Sequence, residues 1–121
     1  MITLRPTVRE IDKRLKEAQK ALLDRKVVFA NPTKALGELW ELDIESVDDV
    51  WNLILKLLVE VDRDCYSGMR PPQRSYEKAV ENKELWAFSW ESPLLGKRMY
   101  LKFVVKEGTF YYVSLHESRG D

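Results

Sequence analysis

Residues 98–119, RMYLKFVVKEGTFYYVSLHESR, constrain the fold more than any other stretch. Two β-branched and aromatic runs flank Glu107-Gly108, which is the pattern of a β-hairpin. The turn decides which side chains share a face, because a slip of one residue inverts every side chain. A two-residue loop at Glu107-Gly108 sets Met99 against His116 and Tyr100 against Leu115, which mixes polar and apolar residues on both faces. A three-residue loop, Lys106-Glu107-Gly108, with Gly108 in the left-handed conformation, separates them. It sets Met99, Leu101, Phe103 and Val105 against Leu115, Val113, Tyr111 and Thr109. Arg98, Tyr100 and Lys102 then face His116, Ser114 and Tyr112. The three-residue loop is therefore the expectation. On it, the only histidine of the chain shares an open face with a phenol, an ammonium and a guanidinium. Opposed Cβ atoms lie ~5 Å apart and diagonal ones ~7–8 Å, so these groups can reach one phosphate.

The rest of the chain predicts helices followed by strands. Thr7 and Glu10 have capping-box spacing, and Ile11, Leu15, Ala18 and Leu22 recur at helical intervals, predicting a helix from about Val8 to Asp24. The run 26–30, KVVFA, reads as a strand stopped by Asn31-Pro32. Thr33 is the expected cap of a short helix through KALGELWEL. Ser46 caps a longer one, in which Val47, Val50, Ile54, Leu57, Leu58 and Val61 trace one face and Asp48 and Asp49 suit the dipole of the first turn. Residues 63–84 carry Pro71-Pro72 and read as a short strand near 65–67 followed by a long loop. Trp86, Phe88 and Trp90 alternate with Ala87, Ser89 and Glu91 as a strand does. Strands segregated from helices predict an α+β fold: one antiparallel sheet with helices packed on one face. A chain of 121 residues fits one domain, 1–121.

Charge narrows the partners only weakly. Twenty Lys and Arg balance twenty Asp and Glu, and residues 67–121 carry a net +2. A positive surface is thus expected in the second half. No apolar run approaches the ~20 residues of a membrane span, and the start has no stretch of signal-peptide length. The single cysteine, Cys65, cannot form an internal disulfide, so a reducing cytoplasm is the expected setting. One His and one Cys leave no zinc set, and no glycine loop has P-loop spacing, so no metal and no cofactor is expected.

Three segments carry a resemblance. "ALGELWELDIESVDDVWNLILKLLVEVDRDCYSG", "LWAFSWESPLLGKRMYLKF" and "YYVSLHES" resemble, in order and spacing, the MqsR family of type II toxins. The resemblance covers roughly residues 27–118. It leaves 1–25 as an N-terminal helical extension to a toxin-like core at 26–118. It implies a RelE-like fold, metal-independent cleavage of messenger RNA, free or on the ribosome, and restraint by a cognate antitoxin protein. It carries Tyr100, Lys102 and His116 over as catalytic residues and Tyr66 as a site residue. Arg98, Tyr66, Tyr112, Arg70 and Arg74 are the expected substrate-binding residues, with Tyr66, Tyr76 or Tyr112 for base stacking. Ala87 departs from the family, standing where at least one member has a polar residue. The chemistry suits attack of an RNA 2′-hydroxyl on the adjacent phosphorus. Histidine suits proton transfer near neutral pH, and Lys102 and Arg98 suit the charge that develops. Tyr100 would partner or orient the base. The alternative is a non-enzymatic interaction module, or an inactive relative, whose open sheet face binds protein.

Overall fold

The structure, a computed structural model, describes residues 5–118; the ends of the expected domain, 1–4 and 119–121, lie outside them. Helix α1 spans Val8–Leu23, and both bonds of the capping box form: Thr7 Oγ1 accepts from the Glu10 N–H at 3.2 Å and Glu10 Oε1 from the Thr7 N–H at 3.2 Å. Helix α2 spans Pro32–Glu41 and starts earlier than expected. Asn31, read as a stop, is its cap, accepting from the Lys34 N–H at 3.2 Å, and Pro32 fills the first helical position, where its missing N–H costs nothing. Helix α3 spans Val47–Glu60 with Ser46 at the cap position, although the Ser46 side chain makes no cap bond.

The fold is α+β, with a four-stranded mixed sheet. Strands β1 (Val27–Phe29), β2 (Trp86–Ser92), β3 (Lys97–Lys106) and β4 (Thr109–Glu117) lie in the order β1-β4-β3-β2. The last three are antiparallel neighbours, and β1 joins the β4 edge in parallel. The strand expected near 65–67 is a 3₁₀ turn, Arg63–Cys65, after which Tyr66 makes only an isolated bridge to Phe88.

Next to the turn the hairpin follows the two-residue register rather than the expected three-residue one, and beyond a bulge it follows neither. Glu107 and Gly108 form a two-residue loop with φ of 51° and 77°, the double left-handed turn that matches strand twist. Next to it Phe103 faces Tyr112 and Val105 faces Phe110; beyond a bulge, Lys102 faces Ser114, Leu101 faces Leu115 and Tyr100 faces His116. Val113 is the extra residue. The bulge lets Phe110, Tyr112 and Leu115 all point into the core, which neither unbroken register allows. The expected three-residue loop is thus replaced by a tighter turn plus a bulge, and the expected pairing of Arg98 with His116 is replaced by Tyr100 with His116. An alanine Cβ at Gly108 would meet no atom within 4 Å, so its penalty is the backbone conformation alone. Gly108→Ala is expected to lower stability by about 1–2 kcal/mol, measured by urea unfolding.

The inner face of the sheet packs under α1 and α3. Ile11, Leu15, Leu22, Ile54, Leu57, Trp86, Phe88, Phe103 and Phe110 belong to one buried cluster, so α1 shares its core with the sheet. The outer face is divided. Near the turn, Val104 and Val113 are covered by Val80 and Leu85, brought round by the 63–84 segment. Beyond the bulge the outer face is left to polar residues.

Candidate active site on the open half of the sheet

Tyr100, Lys102, Ser114 and His116 line one cavity of about 480 Å³, whose other wall is α2, with Thr33, Lys34, Gly37, Glu38 and Glu41. The helix stands beside these side chains, at the β4 edge, and leaves the cavity mouth open. It is there because β1 is too short. It pairs with residues 110–112, and among the described residues the edge of β4 beyond has no strand partner. Glu38 takes that role. Its carboxylate accepts from the Leu115 N–H at 3.1 Å, the Ser114 hydroxyl at 2.6 Å and the Tyr112 hydroxyl at 2.7 Å. Three donors meet its two oxygens, so it ties α2 to the strand that carries His116.

The imidazole of His116 is held on two sides. Its ring stacks on Tyr100 with centroids 5.0 Å apart and planes 29° apart. Its Nδ1 lies 2.8 Å from the carbonyl of Glu117. A carbonyl only accepts, so Nδ1 carries the proton in this contact and the neutral ring offers its lone pair at Nε2. That is the tautomer a general base needs. Burial raises the Tyr100 phenol above its usual range, which keeps it a neutral donor near pH 7. Burial, and then the neighbouring Lys34 ammonium, pull Lys102 below the usual lysine range. Two amines, an imidazole and a phenol thus line one concave surface.

The remaining expected site residues lie elsewhere. Tyr112, expected on the open face, is fully buried in the core: the two-residue turn sets it opposite Phe103, inward against Phe29 and Trp51, and its hydroxyl is used on Glu38. Burial and Glu38 raise its pKa far above the usual value, so it neither stacks a base nor exchanges a proton. Arg98 shares the sheet face with Tyr100 but lies outside the cavity and pairs with Glu91 at 3.5 Å across β2. Tyr66 packs against Trp86 and Phe88 at the β2 edge, and its hydroxyl donates to the Met69 carbonyl. Arg70 sits 5.3 Å over the Tyr66 ring, and Arg74 donates to the Asn82 carbonyl at 2.7 Å. The 63–84 segment pairs along the start of β2, so none of these three reaches the cavity. Ala87 faces Lys102 from β2 and is buried. Cys65 is partly buried with its thiol 3.6 Å from Asp62, and burial raises its pKa, so it is not an activated nucleophile.

Lys34 and Glu38 complete the cavity, and sequence reading missed both. Lys34 is the third residue after the Asn31 cap, in the first turn of α2, and lines the cavity from there. No local pattern marks Glu38; its role depends on where β1 ends. Against known protein families, curated proteins and solved structures, the chain has no match.

Proposed function

We propose that the chain is a metal-independent endoribonuclease, acting as the toxin of a type II toxin–antitoxin pair, as its resemblance to the MqsR family implies. The observation that carries this reading is the single cavity shared by His116, Tyr100, Lys102 and Lys34. Nε2 of His116 takes the proton of the 2′-hydroxyl as the oxygen attacks phosphorus. The Lys102 and Lys34 ammonium groups meet the charge gathering on the phosphorane oxygens, which is usually the largest catalytic contribution. As the bond from phosphorus to the 5′-oxygen breaks, the Tyr100 hydroxyl gives its proton to that oxygen, and water then reprotonates Tyr100 and takes the 2′-proton from His116. The Tyr100 ring holds the imidazole plane. Lys34 replaces Arg98 in this scheme, since Arg98 is engaged outside the cavity.

The purified chain is expected to cut single-stranded or messenger RNA in EDTA, with or without ribosomes present. Induction of the chain alone should arrest growth, and co-expression of the product of an adjacent gene should relieve the arrest. Cleavage that requires magnesium, or no cleavage of any RNA in either setting, would overturn the nuclease reading. Glu38 and Glu41 on the cavity wall favour the second reading, a non-enzymatic module that binds a protein there. That reading gains if the chain binds a partner through Tyr100 and Lys102 while leaving RNA intact.

A further inference from the structure

The side of α2 turned away from the cavity carries a different surface. Trp40 is 82 % exposed, Leu36 60 % and Val47 47 %. They wall a groove of about 310 Å³ with Leu39 and Ile44 in its lining. Leu36 and Trp40 are four residues apart on α2, so they stand on one face of the helix. An indole left this far in water contributes nothing to the core, and clustered apolar exposure of this kind marks an interaction surface.

Charge identifies the occupant. Between Lys34 and Lys56 the chain has no Lys or Arg, and apart from Glu38 and Glu41, which face the cavity, it has Asp43, Glu45, Asp48 and Asp49. Glu45 lines the groove, and Asp43 and Glu45 line the small pocket that adjoins it at Trp40 and Ile44. Among the described residues, Asp43, Glu45, Asp48 and Asp49 form no ion pair. A symmetric dimer through this patch would set each acidic rim against its own copy. Nucleic acid and anionic membranes are repelled in the same way. We infer that the Leu36–Trp40–Val47 groove docks a basic amphipathic segment of another protein, with apolar side chains in the groove and Lys or Arg on the carboxylates. This inference stands independently of the RNA reading.

Trp40 supplies the test, because Trp51, Trp86 and Trp90 are buried and Trp40 is not. Its emission reports what covers the groove. The probes are a Lys/Leu amphipathic helical peptide, the same composition scrambled, and a Glu/Leu counterpart. The Lys/Leu helix is expected to bind, shift the emission to the blue and weaken with added salt. Trp40→Ala, followed by anisotropy of labelled peptide, and the pair Asp43→Asn with Glu45→Lys are each expected to weaken binding at least about tenfold. Asparagine is chosen because Asp43 has a φ of 59°, which asparagine tolerates. Circular dichroism and RNA cleavage should be unchanged in both variants. Equal binding of the scrambled peptide, no blue shift, or wild-type affinity in either variant would overturn the inference. So would a concentration-dependent dimer that Trp40→Ala abolishes, which would assign the groove to a second copy.

Discussion

His116→Ala is expected to fold as the parent does and to lose about 10²–10⁴ in cleavage rate, the usual cost of removing a general base. No second histidine exists to take over the proton. The structural cost is small but not zero. His116 is half-buried and stacked on Tyr100 at 5.0 Å, so stability should fall by about 0.5–1.5 kcal/mol, the typical worth of an aromatic pair. Single-turnover cleavage of one RNA substrate, together with thermal melts of both proteins, separates the two effects. Equal rates would make the imidazole a surface group. A melt far below the parent would make it a structural one.

Glu38→Ala is expected to give the largest loss of stability of any change on the cavity wall. The Leu115 N–H, the Ser114 hydroxyl and the Tyr112 hydroxyl all lose their acceptor. Ser114 and Tyr112 are buried, so water does not readily replace it. A hydrogen bond to a charged group contributes about 1.5–3 kcal/mol singly, but the three are not additive and Glu38 is itself half-exposed. A loss of about 2–4 kcal/mol is expected, seen as a lower urea midpoint at unchanged slope. Since α2 then loosens from β4, cleavage should fall as well. A stability loss below about 0.5 kcal/mol, as at an ordinary surface site, would show that the edge of β4 is held without Glu38.

The fold was legible where a signal is local, and obscure where it depends on how elements end. The capping box of α1, the apolar stripe of α3 and the Trp86-Phe88-Trp90 alternation each lie within one element, and each is present. Gly108 at positive φ was legible for the same reason. The register is not, because a bulge leaves no mark in the turn residues from which an unbroken hairpin follows. The inward residues of β4 are Phe110, Tyr112 and Leu115, spaced by two and then three. That odd step is the mark of a bulge, and it explains why Tyr100, Lys102, Ser114 and His116 share a face while Tyr112 does not. Asn31-Pro32 was read as a strand stop when it is also a helix start; both follow from proline's fixed φ and absent N–H. Arg70 and Arg74 carry the charge a phosphate site needs, but charge does not say which edge of a sheet a loop follows.

The central claim is that His116, Tyr100 and Lys102 cut RNA by activating its own 2′-hydroxyl. The most direct measurement uses two oligoribonucleotides in EDTA, identical except that one has a 2′-deoxy sugar at the cleaved position. The all-ribose strand should be cut to products ending in a 2′,3′-cyclic phosphate and a 5′-hydroxyl, and the deoxy strand should stay intact at that position. Cleavage of the deoxy strand there at a similar rate, or products with 5′-phosphate ends, would contradict the account.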